Sequence, residues 1–110
     1  MSAAPSQPHR AATLQISGHE LVADGRYGQA TTLLRQAMRA TGMNVASCAR
    51  PVGESCLVYA YALYDLGRTF LLEGRPGEAV AVLQARLEID NQEPVVASEL
   101  ALARAAAVHG

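Results

Sequence analysis

One register occurs twice in this chain. Gly18, Gly25, Ala30 and Leu34 recur as Gly67, Gly74, Ala79 and Leu83, and each pair is separated by the same 49 residues. Two unrelated segments have no reason to keep one offset across so many positions, so the chain contains two copies of one structural unit.

Each copy reads as helix, tight turn, helix. In the first, an amphipathic stretch from about Arg10 runs through Leu14, Ile16, Leu21 and Val22. It stops at Asp24-Gly25, where glycine suits the left-handed residue that ends a helix. Tyr27 to Thr41 then sets Ala30, Leu33, Leu34, Ala37 and Met38 on one face at three-and-four spacing, and Gly42 closes it. The second copy opens near Ser55 and passes Leu63, Leu66, Phe70 and Leu71 to Gly74. It resumes at Pro76, a residue the first helical turn tolerates, and carries its apolar face through Ala79, Val80, Val82, Leu83 and Leu87 to Ile89. Asp90-Asn91-Gln92-Glu93 breaks the pattern, and Pro94 starts a last helix ending near His109.

With 110 residues there is room for one core, and a half-hydrophobic, 17% charged chain has a folding composition. The expected organisation is a loose tail or linker over 1–9, which contains Pro5 and Pro8, and one all-α domain over 10–110. That domain comprises a hairpin over 10–42, an insertion over 43–55, a second hairpin over 56–90 and a closing helix over 94–109.

These residues resemble the tetratricopeptide repeat. That family places a large apolar residue, Leu-Gly, an aromatic, Gly, Ala, an aromatic or Leu, Ala and Pro in order. The second copy carries Leu63, Leu66-Gly67, Phe70, Gly74, Ala79 and Leu83 at those positions, and departs at Arg86 and Asn91, where the family prefers Ala and Pro. The first carries Leu14, Gly18, Leu21, Gly25, Ala30, Leu34 and Ala37, and departs at Ser17 and Gly42. The resemblance implies a helical-repeat fold of two helix-turn-helix hairpins and a C-terminal helix. Gly67 and Ala79 would be small where helices cross, with Leu66, Phe70 and Leu83 packed around them. The last helix reads as a cap or as the start of a third repeat, with Leu100-Ala101 at the Leu-Gly position. From Pro94 to Val108 its only charges are Glu99 and Arg104, so it is expected to be buried on several faces, against a partner chain or a continuing array. Leu66 to Asn91 also looks like repeat segments attached to some bacterial Ser/Thr protein kinases, which implies a docking or sensory segment of a larger protein.

An uninterrupted array of this family repeats every ~34 residues, so the 49-residue spacing leaves an insertion between the hairpins. Cys48 and Cys56 flank its loop, Ala49-Arg50-Pro51-Val52-Gly53. They are either a disulfide that restricts the loop by roughly 2–3 kcal/mol or two thiols of a reducing compartment. The expected location is accordingly cytoplasmic, or extracytoplasmic if the two are bonded.

Several chemistries lack their residues. The two cysteines, with His9, His19 and His109 scattered, do not make a four-ligand metal site. Gly74-Arg75-Pro76-Gly77 has neither the spacing nor the lysine of a phosphate loop. Glu73, Glu78 and Glu88 occupy polar helix positions where solvation is their expected role. Nothing ties Cys56 to His19 as nucleophile and base, so no enzyme and no cofactor is expected. All nine basic residues are Arg, dispersed in a chain of net charge −1, which argues against a nucleic-acid partner. No apolar run approaches the ~20 residues of a membrane span, and Met1 to Arg10 lacks the apolar stretch of a signal peptide.

The resemblance also implies a binding face, because the first helix of each family hairpin lines a concave groove. Carried over, that face is Gln15, His19, Val22, Tyr61, Tyr64, Arg68 and Leu71, with Ser98 and Leu102 on the last helix. Tyr61, Tyr64 and Arg68 share a stripe, and Tyr and Arg are types enriched at binding hot spots. Alternatively, the two tyrosines pack against the last helix. Family members that clamp a terminal carboxylate use Lys and Asn where this chain has Gln15 and His19, a departure from the chaperone-type role. The expected function is a non-catalytic protein-protein interaction module that holds a partner peptide or helix. The alternative is a self-associating structural element, a homodimer or extended stack through the last helix.

Overall fold

The computed structural model describes residues 7–109; residues 1–6 of the expected tail, and Gly110, lie outside the described residues. The described chain folds into helices α1 (Pro8–Ala23), α2 (Tyr27–Thr41), α3 (Glu54–Leu72), α4 (Pro76–Leu87) and α5 (Glu93–His109), with one 3₁₀ turn at Ala46–Cys48 and no strand. Pro8 and His9 belong to α1 rather than to a tail. Proline is accepted in the first turn, and the Gln7 N–H just ahead of it donates to Ala40 O at 2.8 Å. α3 likewise starts at Glu54, ahead of the expected residue 56, and α5 starts at Glu93.

The two hairpins share turn geometry atom for atom. Gly25 and Gly74 take φ of 76° and 77°, the left-handed region that costs a glycine little. In the first turn Arg26 N–H reaches Leu21 O at 2.9 Å and Gly25 N–H reaches Val22 O at 3.0 Å. In the second, Arg75 N–H reaches Phe70 O at 2.9 Å and Gly74 N–H reaches Leu71 O at 3.1 Å. These bonds satisfy carbonyls that the helix end would otherwise leave open.

The helix crossings repeat as well. A Cβ on Gly18 would stand 2.8 Å from Leu34 Cγ, and one on Gly67 would stand 2.7 Å from Leu83 Cγ. Each leucine is fully buried, a burial that contributes about 1.5–3 kcal/mol per side chain. Around them one core joins Val22, Ala30 and Ala37 to Ala62, Leu66, Phe70 and Ala79, and then to Leu100 and Ala103.

α5 adds to the second hairpin as α3 adds to the first. Ala62, Leu66 and Thr69 of α3 are buried, and so are Val96, Leu100 and Ala103 at the positions 34 residues on. The other side of α5 is open: Val95, Leu102 and Val108 are 53%, 59% and 80% exposed. Among the described residues no further element covers that face, so α5 is buried on one side only.

The insertion forms a second, smaller core. Cys48 and Cys56 are joined as a disulfide with their Cα atoms 5.3 Å apart. They sit with Tyr59, Ala60, Leu63 and Ile89, and Met38, Met43, Val45, Val82 and Ala85 pack around them. The Asp90 N–H donates to Ala49 O at 2.8 Å, which ties the insertion to the α4–α5 connection. Arg86 is completely buried in the same region. Its Nε donates to Ala60 O at 2.9 Å, Nη1 to Ile89 O at 3.3 Å and Nη2 to Asn91 Oδ1 at 3.0 Å. The two residues that break the repeat pattern of the second copy are therefore one hydrogen-bonded unit. No described helix is long and apolar enough to cross a membrane.

Gly67→Val is expected to lower the unfolding free energy by roughly 2 kcal/mol through overpacking against Leu83. Gly77→Ala, with open space around its Cβ, is expected to raise it by about 0.5 kcal/mol. Urea denaturation of the two variants measures both; equal effects would show that the crossing does not require glycine.

Candidate functional site

α1 packs against α3 and α3 against α5, whereas α2 and α4 have no Cα pair within 8 Å of each other among the described residues. α1, α3 and α5 therefore share the side on which successive helical units meet, termed the inner side. Met43, Val45 and Cys48 of the insertion pack among Met38 of α2 and Val82 and Ala85 of α4, on the side where those helices diverge.

Asp65 holds the inner side together. It is only 6% exposed, and a buried carboxylate is costly unless donors reach it. Gln15 Nε2 donates to its Oδ2 at 2.9 Å, and His19 Nδ1 lies 3.1 Å from both oxygens. The carboxylate can only accept, so His19 Nδ1 carries the proton. The His19 side chain remains largely open, at 58% exposure.

On α3, Tyr61 and Arg68 are exposed. Tyr64 is half-buried against the main core with its hydroxyl beside Glu99 of α5. Burial, and then the Glu99 carboxylate, push the Tyr64 phenol above its ordinary pKa. On α5, Ser98 and Leu102 are exposed. The structure thus joins Gln15 and His19 to α3 through Asp65, and Tyr64 to α5 through Glu99, while Tyr61, Arg68, Ser98 and Leu102 are exposed. Gln15 serves chiefly as an interhelix clamp, and Tyr64 packs against the main core.

Of the other residues expected on this face, Val22 is buried within the main core, and Leu71, like Tyr64, is half-buried against it.

Asp65 itself escaped the sequence pattern, although it had a signal. It is the single carboxylate between Glu54 and Glu73 in an otherwise apolar helix, and a lone acid there must find donors. Glu78 is exposed, as expected, and together with the half-buried Glu73 it flanks Arg75. Glu78 accepts from Arg75 Nε and Nη2 at 2.7 and 2.6 Å, and Glu73 lies 3.6 Å from Nη1. The Arg75 guanidinium carbon in turn lies 4.8 Å from the centroid of the Phe70 ring.

A separate open cleft of about 320 Å³ between α1 and α2 is lined by Leu21, Gln29, Thr32 and Leu33, without an ionisable group. Among the described residues no three His, Cys, Asp or Glu side chains cluster as metal ligands would. In comparisons with known proteins, the chain matches no family model, no curated protein and no solved structure.

Removing both donors strands the buried carboxylate. Gln15→Ala with His19→Ala is expected to lower stability by roughly 2–3 kcal/mol, and adding Asp65→Leu is expected to recover part of that loss. A triple variant no more stable than the double in chemical denaturation would show that the carboxylate is not the cause.

Proposed function

We propose that this chain is a non-catalytic protein-interaction module of the tetratricopeptide type, which holds a peptide or helix of a partner against α1, α3 and α5. The observation that carries the reading is the contact pattern of the helices. The first helices of the hairpins touch and the second helices part, which supports a concave side with these three helices as its wall. Support also comes from the repeated crossings of Gly18 with Leu34 and Gly67 with Leu83, which reproduce the small-residue contact the family pattern implies. The surface left open on the wall is of hot-spot type, with Tyr61, Arg68 and Leu102 exposed on adjacent helices.

A random-peptide display selection on the intact chain tests this reading. Selected peptides are expected to bind about tenfold more weakly to Tyr61→Ala and to Leu102→Ala. Affinity is expected to be unchanged in Thr32→Ala, which alters the cleft between α1 and α2. Peptides indifferent to the groove substitutions, or no enrichment above an unrelated helical protein, would sink the proposal.

A second reading is favoured by one observation, the exposed apolar side of α5. Val95, Leu102 and Val108 stand largely in solvent on a helix whose opposite side is packed. That surface supports self-association through α5, and an isologous pair is the simplest closed arrangement for it. Sedimentation of the chain across a hundredfold concentration range is expected to show a dimer that Leu102→Glu with Val108→Glu dissociates. A strict monomer throughout excludes this second reading and leaves the groove untouched.

A further inference from the structure

The connection from α4 to α5, residues 88–92, is held by the insertion. The Ile89 side chain is completely buried in the small core with Cys48 and Cys56. The Asp90 N–H donates at 2.8 Å to the carbonyl of Ala49, the residue next to Cys48 inside the bonded loop. The same connection carries two costs. The Arg86 guanidinium is buried on three neutral acceptors, and two of them, Ala60 O and Ile89 O, belong to residues of that small core. A charge taken out of water in this way favours any opening that hydrates it. Gln92, directly ahead of α5, has φ of 54°. That is the left-handed region, which a residue other than glycine keeps only where its surroundings hold it.

We infer that the Cys48–Cys56 bond is a redox-sensitive latch on α5. Oxidised, it closes the loop that holds Ile89 and Asp90, and α5 stays seated through Val96, Leu100 and Ala103. A dithiol opens it. One thiolate of the reductant attacks a cysteine sulfur, and the other cysteine leaves as a thiolate that takes up a proton. The second reductant thiol then displaces the first cysteine. Two electrons pass to the protein, which ends with two thiols, and the dithiol ends as a cyclic disulfide. Both cysteines are enclosed, at 0% and 5% exposure, so the exchange follows a loosening of the insertion and makes it lasting. The freed loop regains its chain entropy, Arg86 meets water and Gln92 relaxes, and the connection comes away with α5. The two hairpins persist, because the main core contains neither cysteine and, apart from Leu100 and Ala103, is built by α1 to α4.

Hydrogen exchange of the intact chain, without denaturant and before and after reduction by dithiothreitol, tests the latch. On reduction the amides of Val96 to Ala103 are expected to exchange about thirtyfold to a hundredfold faster. Those of Leu14 to Val22 in α1 are expected to change by less than about threefold. Cys48→Ala with Cys56→Ala is expected to show the fast α5 with or without the dithiol. Ile89→Ala is expected to show it with the disulfide intact. Exchange in α5 that ignores reduction would overturn the latch. Acceleration of α1 and α5 by one common factor would also overturn it, since the bond would then staple the whole fold. A slow α5 in oxidised Ile89→Ala would overturn the route through the connection.

Discussion

The approach of Leu34 to Gly18, and of Leu83 to Gly67, sets the spacing on which the rest of this fold depends. At those distances even one methyl group would collide with a buried leucine, so the helices of each hairpin sit as close as backbone packing permits. Close hairpins make thin units. Thin units stack with α1, α3 and α5 on one side, and the main core then runs continuously from Val22 to Ala103. Glycine in mid-helix costs roughly 1 kcal/mol in propensity. Here burial of the matching leucine offsets that cost in each hairpin, since Leu34 and Leu83 are both fully enclosed.

Features with a period were legible in the sequence. The hairpin turns at Gly25 and Gly74, the start of α4 at Pro76 and the core leucines all follow from spacing, because local backbone rules and one-sided burial govern them. The clamp of Asp65 by Gln15 and His19 was not legible as a clamp. It spans 46 to 50 residues, and no local rule selects partners at that distance. The exposed stripe was partly legible. Tyr61, Arg68, Ser98 and Leu102 lie in the open, whereas Tyr64 and Leu71, two helical turns apart, are half-buried together against the main core. For α5 the composition states only that it can be buried on several sides, and among the described residues its neighbours cover one.

Departures from a repeat pattern are informative when they are found together. Arg86 and Asn91 each replace a residue the pattern favours, and taken singly each looks like decay. In the structure the guanidinium of Arg86 bridges Ala60 O, Ile89 O and the Asn91 side chain, so the connection from α4 to α5 is fastened to the middle of α3. Burial lowers the guanidinium pKa. No carboxylate accompanies it, so three neutral acceptors hold the charge. Losing any one of them would leave a buried donor unmet, which makes the pair interdependent.

That fastening bears on the proposed binding face because α3 contributes to it. One side of α3 carries Cys56, Tyr59 and Leu63 into the small core of the insertion, and Ala60 O on that side receives Arg86. The other side presents Tyr61, Tyr64 and Arg68. A disulfide that closes so short a loop restricts it by about 2–3 kcal/mol through chain entropy, and it acts at the first turns of this same helix. The insertion packs among Met38 of α2 and Val82 and Ala85 of α4, so it fills space between two helices that do not touch each other among the described residues. It thereby fastens α2, α3 and α4 together on the side of α3 away from Tyr61, Tyr64 and Arg68, without contributing a side chain to the proposed face.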